Sequence, residues 1–392
     1  MKIMELPSEL LQHIAAQLDS VADLNAFAQT CARAYQLVSP YLYRYDGQYC
    51  GGTALCWAVE GGRQQTAQKL LDLYHSVLSD SQMQFVAHRA LVLAAQYGHP
   101  TIVQMLLELE CVDPDVRLIP TSKVTPLMYA ASAGHEEVVR VLLATQRVDV
   151  NARDAWGATP LHRAAAAAAA SAGSSPNEAV VRLLLATPGV RPDLRDHLGR
   201  TPLTWLAGHG EAALLESLLF NHHVNPHPRD EAGNIPLFEA VRNGHEAVVD
   251  LLLRAGGPGD VDATDEDGKT ALAMAAEDGH VGVAQLLLAA GASPDVKDTF
   301  GQTPLAKAAQ AGWKGVVELL LATEGVDCNS QDAEGRTPLS LAAENGFVDV
   351  AKVLLAADAD PTLPDHDGRT PLAWAEDFGN EILADLLRDR DE

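Results

Sequence analysis

Basic residues are scarce in this chain of 392 residues, where 28 Lys and Arg stand against 53 Asp and Glu, a formal net charge of −25 at pH 7. A field of this sign repels the phosphate backbone of nucleic acid and anionic membranes, so we expect neither as a partner. Aromatic residues are also few, at 5%, although 47% of the residues are hydrophobic. Ala, Leu and Val must therefore form the interior, which suits many small, closely packed helices and excludes intrinsic disorder.

Cysteine is rare as well, and long apolar runs are absent. The five cysteines are odd in number, scattered and never arranged as C-x-x-C, so we expect reduced, mostly buried thiols. Glu5, Pro7 and Glu9 interrupt any apolar stretch near the start of the sequence, which argues against a signal peptide. The longest featureless apolar segment, residues 164–170, is far too short to span a bilayer. These features predict a soluble protein of the cytoplasm, the nucleus or both.

What the chain does contain is a repeated phrase: Thr-Pro-Leu or a variant, then an Ala-Ala pair, a Gly and a stretch rich in Val and Leu. In the third copy, Thr125 can cap a helix, Pro126 suits its first turn and Gly134 allows the tight turn that ends it. A second helix follows, with Val139 and Leu142 on one apolar face. Each copy leaves apolar faces on two sides, so only stacking buries them. The Leu of the phrase recurs at intervals of 33 to 36 residues, apart from one of 42, at Leu55, Leu91, Leu127, Leu161, Leu203, Leu237, Leu272, Leu305, Leu339 and Leu372.

The period and the wording of this phrase resemble the ankyrin repeat. A period near 33 residues is typical of that family, and GRTPL at 199, 335 and 368 with GHEEVV at 134 is similar to its consensus. The resemblance implies an all-α fold over residues 47–392, a solenoid of about ten helix-turn-helix units with hairpin or turn tips. The interval of 42 places eight extra residues between the helices of the fourth repeat, which are either a tolerated loop insertion or a protrusion used in recognition.

Residues 1–46 contain no copy of the phrase and form a separate, short helical module. Apolar positions predict amphipathic helices there, and the segment is too small to be reliably stable alone. Its wording resembles the F-box, with Tyr43 standing where the family often has Trp, and it is closest to filamentous-fungal chains that place an F-box before ankyrin repeats. The matching residues are Leu6, Pro7, Glu9, Leu10, Ile14, Leu18, Asp23, Leu24, Cys31, Arg33, Tyr35, Leu42, Tyr43 and Arg44.

The F-box resemblance implies docking on the Skp-type adaptor of a cullin–RING ubiquitin ligase. By the same resemblance, five residues would supply much of the apolar contact with that adaptor: Leu6, Pro7, Leu10, Leu11 and Ile14. The alternative is a helical cap that only covers the first repeat, since solenoids need capped ends.

We expect no enzyme, cofactor or metal site. No G-x-S-x-G, H-E-x-x-H or Cys-His pattern is present, and the GKT at residues 268–270 lacks the upstream Gly of a phosphate loop. His222, His223 and His227 lie in a loop-like stretch without an acidic or Cys ligand nearby, which indicates surface histidines. A cryptic enzyme would instead show a cleft with strongly perturbed titratable groups.

Stacked repeats offer a concave face made of hairpin tips and the exposed ends of the first helices. Alignment on the repeated Leu places Trp156, Leu198 and Phe300 at one tip position. It also places Gln96 with Tyr97, Arg242 with Asn243, Glu277 with Asp278, and Glu344 with Asn345 at two first-helix positions. Apolar side chains at wet tips are either covered by a partner or isolated surface hydrophobes. We expect these residues to bind a target protein.

Negative charge is concentrated in the second part of the chain. Residues 230–392 hold 11 Lys and Arg against 32 Asp and Glu, a net −21. This predicts a target with a basic segment, although solubility alone would also explain it. The sequence therefore predicts a substrate-receptor adaptor of an SCF-type ubiquitin ligase, and alternatively an ankyrin-repeat interaction scaffold with no ligase role.

Overall fold

The computed structural model describes residue 46 and residues 52–168, 176–222, 224–256 and 261–391. The five predicted adaptor-binding residues and the rest of residues 1–45 lie outside these ranges, as do residues 169–175 of the predicted insertion. The boundary between residues 46 and 47 stays a prediction. Two compact units, residues 1–191 and 192–392, divide the chain.

Helices and turns build the described ranges, with one isolated β-bridge between Thr264 and Thr270, and the predicted all-α class is confirmed. The helices follow one another in ten pairs. The first members are α1 (Thr53–Glu60), α3 (Asp80–Tyr97), α5 (Pro126–Ala133), α7 (Pro160–Ala168), α9 (Pro202–Gly208), α11 (Pro236–Arg242), α13 (Ala271–Asp278), α15 (Pro304–Ala311), α17 (Pro338–Glu344) and α19 (Pro371–Asp377). The second members are α2 (Gln64–Val77), α4 (Pro100–Leu107), α6 (Glu136–Ala144), α8 (Pro176–Leu185), α10 (Ala212–Glu216, followed by a π-helical turn, Ser217–Asn221), α12 (Glu246–Gly256), α14 (Val281–Ala289), α16 (Lys314–Leu321), α18 (Val348–Ala356) and α20 (Glu381–Asp391).

The repeated phrase sets the limits of each first helix. In α15, the Thr303 side chain accepts a hydrogen bond from the backbone N–H of Ala306 at 3.2 Å, which satisfies a donor that the helix itself leaves unpaired. Pro304 occupies the first turn. Gly312 then ends the helix at φ +81°, a backbone conformation that glycine adopts without strain. The residues of the phrase thus determine where the helix begins and where it ends.

Apolar residues of the phrase form a core between layers. Within each unit, first helices pack on first helices and second helices on second helices. Nine of the ten repeated leucines are at most 2% exposed, and Leu372 in α19 is half-buried. Paired alanines such as Ala308 and Ala309 are fully buried, and their small side chains allow adjacent helices to approach closely.

The second pair departs from the pattern. Its first helix, α3, has 18 residues and occupies the place where other repeats have a hairpin. Ser79 and Gln82 form a capping box at its start, which satisfies two backbone donors and fixes this early beginning. Phe85 on the extension is 55% exposed.

Asp46 joins the end of the F-box-like segment to the first pair of helices. Its carboxylate accepts hydrogen bonds from the backbone N–H groups of Thr53 and Ala54, both at 3.0 Å, and from the Tyr74 hydroxyl. A carboxylate at the start of α1 is favourable because unpaired N–H groups and the helix dipole meet there. None of the helices in these ranges is long and apolar enough to cross a membrane.

In five of the repeats, a polar side chain ties the loop after the second helix to the next loop. Asn151 accepts from the Arg191 N–H at 2.9 Å and donates to the Gly189 carbonyl at 2.8 Å. Asp295 holds the corresponding position and accepts from the Asp327 N–H at 2.9 Å, but its buried Oδ1 has no hydrogen-bond partner. Burial, with a contribution from the Asp327 carboxylate, raises the pKa of Asp295.

We predict that Asp295→Asn stabilises the protein at pH 7 by about 1 kcal/mol, because an amide restores the donor that Asn151 uses. A raised folded-state pKa means that the native state binds this proton more tightly than the unfolded chain. Stability contributed by Asp295 therefore increases as the pH falls from neutrality through its folded pKa towards about 4, and the gain from Asn shrinks over that window. Urea unfolding at several pH values measures this gain. Asp349→Asn, which removes one exposed charge, is the control, and an equal gain from it would refute the explanation.

Candidate protein-binding surface

In seven of the repeats one aspartate shapes the hairpin tip, and five of these seven aspartates are buried. Asp298 accepts hydrogen bonds through Oδ1 from the N–H groups of Phe300 and Gln302, both at 2.9 Å, while its own N–H donates to the Gln302 carbonyl. Neighbouring tips are also bonded directly, since the Ala333 N–H donates to the Phe300 carbonyl at 2.9 Å. These bonds hold the tip side chains in fixed positions. The same Oδ1 contacts two and four residues ahead are made by Asp154, Asp196, Asp230, Asp265, Asp332 and Asp365.

The three apolar residues predicted for the tips all lie there and are exposed, Trp156 by 60%, Leu198 by 53% and Phe300 by 58%. Two of them also contact a cation of their own repeat. Lys307 Nζ is 5.9 Å from the centroid of the Phe300 ring and 3.0 Å from Asp298 Oδ2. In the same way, Trp156 lies against the guanidinium of Arg163, which pairs with Asp154. The aromatic tips therefore shelter ion pairs and still leave more than half of each ring to solvent.

The eight predicted first-helix residues lie near the ends of α3, α11, α13 and α17. Six of them are exposed, namely Gln96, Tyr97, Arg242, Asn243, Asp278 and Asn345. The other two are half-buried and engaged in ion pairs. Glu277 lies 2.9 Å from Lys269 Nζ, and Glu344 lies 3.5 Å from a guanidinium nitrogen of Arg336.

Backbone carbonyls at these helix ends bind the following repeat. His280 Nε2 is 3.1 Å from the Arg242 carbonyl, and its ring lies on Gly244, where an added Cβ would come within 2.8 Å of it. The position after the repeated Gly makes this contact elsewhere with other side chains: Trp313 donates to the Glu277 carbonyl at 2.8 Å and Asn380 to the Ala343 carbonyl at 2.8 Å. The recurring Gly-His pairs were the sequence signal, but the partner carbonyl, 38 residues away for His280, was not predicted.

Six cations of the hairpins and first helices in residues 192–392 form ion pairs with carboxylates. Each of the following pairs lies within 3.5 Å: Arg200 with Asp196, Arg242 with Asp265, Lys269 with Glu277, Lys307 with Asp298, Arg336 with Asp332, and Arg369 with Asp365. Asp267 at a tip and Asp278 at a helix end form no such pair in the described ranges. Burial and the adjacent Glu277 carboxylate raise the pKa of Asp278, so a cation brought to this residue would be favoured.

We predict that His280→Ala lowers the free energy of unfolding by about 1–2 kcal/mol, because both the hydrogen bond to Arg242 and the packing on Gly244 are lost. His280→Asn should retain most of the stability, since Asn380 makes the same bond at its own position. Urea unfolding of the full chain measures both. Equal losses in the two variants would show that the hydrogen bond contributes nothing.

No group of three or more His, Cys, Asp or Glu in the described part of the chain is arranged to hold a metal ion. Within each unit, the hairpin tips and the ends of the first helices present aromatic and acidic side chains on a backbone held by hydrogen bonds. Such a surface suits the recognition of another macromolecule.

Two family models match the chain. An F-box-like model matches residues 3–45. A model of ankyrin repeats in three copies matches residues 91–172, 166–265, 257–332, 282–365 and 311–392, and these overlapping matches cover residues 91–392. Both resemblances stated from the sequence are confirmed, while the likeness to fungal chains stays a prediction. No curated protein matches the chain.

Proposed function

We propose, on the premise that the chain belongs to the ankyrin-repeat proteins and carries an F-box-like segment, that it is a substrate-receptor adaptor of an SCF-type cullin–RING ubiquitin ligase. The F-box-like segment docks on a Skp-type adaptor, and the repeats bind a target protein. Both modules are interaction modules, and modules of these kinds are typically non-catalytic. The observation that carries the proposal is their combination in one chain.

The mechanism is proximity. A target held by the repeats is presented at high effective concentration to the ubiquitin-loaded ligase, and no residue of this chain takes part in the transfer. The carboxylate of Asp46 supports such a mechanism, because its bonds to Thr53 and Tyr74 attach the end of the F-box-like segment to the first repeat. A firm attachment limits the positions that a bound target can take relative to the ligase.

The same attachment favours the second candidate function, an ankyrin-repeat interaction scaffold without a ligase role. In that case the N-terminal helices would serve as a cap for α1 and α2, and their leucines would be buried against the first repeat. The two candidates differ in whether Leu11 and Ile14 remain available to a partner.

We predict that the full chain, co-expressed with a Skp-type adaptor, elutes with it from a size-exclusion column. Leu11→Asp combined with Ile14→Asp should abolish co-elution, because two charges enter the apolar contact that the family resemblance implies. Gln12→Asp combined with Gln17→Asp adds the same charge at polar positions of the same segment and should leave co-elution intact. Failure of the wild-type chain to co-elute would favour the scaffold.

The target of the repeats is proposed to carry a basic segment, since residues 230–392 have a net charge of −21 and six cations of the hairpins and first helices are already paired with carboxylates. Electrostatic attraction of this kind acts mainly on the association rate. Proteins that accumulate when the gene is deleted are the candidates for the target.

We predict that binding of such a target to the full chain weakens by about tenfold or more between about 50 and 300 mM NaCl, because salt screens exposed charges. Surface plasmon resonance separates the association and dissociation rates. Adaptor binding, which rests on apolar contact, is the internal control and should change little. Target binding that is equally insensitive to salt would refute the electrostatic contribution.

We also propose a location in the cytoplasm or the nucleus, where ubiquitin ligases of this class would meet their targets. The described cysteines, Cys56, Cys111 and Cys328, are all free thiols, as expected in a reducing compartment.

A further inference from the structure

A pocket opens between α9 and α11, within residues 192–392. Its volume is about 180 Å³. Sites for cofactors and drug-sized ligands usually measure about 300–1,000 Å³, so this pocket has room for a single side chain of a protein partner. The residues that line it are Arg200, Thr204, Trp205, Gly208, His209, Glu239 and Asn243.

Several polar groups of the pocket are already used by the protein. The Arg200 guanidinium donates to Asp196 Oδ2 at 3.1 Å from Nε, and its second nitrogen is 3.0 Å from the same oxygen. The guanidinium carbon also lies 4.3 Å from the centroid of the Trp205 ring. Asn243 donates its side-chain amide to the Glu239 carbonyl at 2.9 Å. These contacts use hydrogen-bond donors of Arg200 and Asn243, which are then not available to a ligand through those groups.

The groups that remain for a ligand are mostly acceptors. The Glu239 carboxylate has one ionic contact in the described ranges, a long one of 3.7 Å to Arg242, and the side-chain oxygen of Asn243 is not used by the amide contact. His209 stacks on Trp205 with the ring centroids 6.0 Å apart. Burial and the neighbouring His245 lower the pKa of His209, which favours the neutral form of its ring. The pocket thus combines a carboxylate, an amide oxygen and stacked aromatic rings.

We propose that this pocket binds an arginine side chain from the basic segment of the target, an inference that rests on the proposed target-binding role of the repeats. A guanidinium is planar, stacks on aromatic rings and presents parallel donors to a carboxylate. Lysine offers a compact ammonium that cannot match both the rings and the two oxygens. The surplus of carboxylates in residues 230–392 attracts a cationic segment to the same face.

Gly208 provides a variant that alters the shape of the pocket and not its charge. A Cβ added there would lie 3.6 Å from the Cβ of Glu239, an ordinary van der Waals contact. Because alanine favours the helix more than glycine does, Gly208→Ala should fold at least as well as the wild type while narrowing the pocket.

The experiment titrates the full chain, labelled with ¹⁵N on the tryptophan indoles, with N-acetyl-arginine amide and with its neutral isostere N-acetyl-citrulline amide. We expect a saturable shift of the Trp205 indole signal, assigned through Trp205→Phe, and affinity about tenfold lower for the citrulline compound. Glu239→Gln should weaken arginine binding by about the same factor, and Gly208→Ala should weaken it several-fold with unchanged circular dichroism. Glu231→Gln, which neutralises an exposed tip carboxylate outside the pocket, should bind like the wild type.

Equal binding of the arginine and citrulline compounds, no shift of the Trp205 signal, or preferential binding of N-acetyl-glutamate amide would each overturn the proposal. None of these results concerns the F-box-like segment, whose test is co-elution with the Skp-type adaptor. Loss of co-elution with intact arginine binding would refute the ligase role and keep the pocket. Intact co-elution with no arginine binding would refute the arginine pocket and leave the ligase role standing.

Discussion

The hydrogen bonds accepted by the hairpin aspartate are the interaction on which the rest of the repeat depends in seven of the repeats. A carboxylate such as that of Asp332 accepts from the N–H groups of Glu334 and Arg336 at 3.0 and 2.8 Å, and so adds to the backbone hydrogen bond from the Asp332 N–H to the Arg336 carbonyl that closes the turn. Its second oxygen binds the Arg336 side chain at 3.0 Å. The turn leads directly into Thr337, the cap of the next helix. A single side chain therefore holds both the tip and one cation, and an apolar replacement would leave the N–H groups of Glu334 and Arg336 without this acceptor.

This arrangement separates the positions that build the repeat from those that vary. The residue two places after the hairpin aspartate lends only its backbone to the turn, so Trp156, Asp267 and Phe300 can differ freely in side chain. The end of α11 is similar, since the carbonyl of Arg242 binds the following repeat while the Arg242 side chain is exposed. Function can change at these positions with little cost to the fold.

Much of this architecture was predictable because the same residue pattern recurs in each repeat. The repeated Leu, the Thr-Pro start and the Gly end predicted the paired helices, and the structure places these residues as expected. The early start of α3 was missed, although Ser79 followed by Gln82 is a capping-box signature. Contacts between repeats, such as that of His280 with Arg242, were not predictable from local patterns, because they depend on the register between layers. The pocket at Trp205 depends on the same register, since α9 and α11 contribute its walls together.

The origin of the acidic surplus follows from the hairpins. The recurring hairpin aspartates account for part of the acidic residues of 230–392, but most of them are balanced in place. Asp298 is paired with Lys307, Asp332 with Arg336 and Asp365 with Arg369, so these ion pairs contribute almost no net field. The excess comes from carboxylates other than these hairpin aspartates, among them Asp267 at a tip and Asp278 at the end of α13. Because such groups are not needed to hold the turns, a cationic partner can neutralise them without weakening the fold.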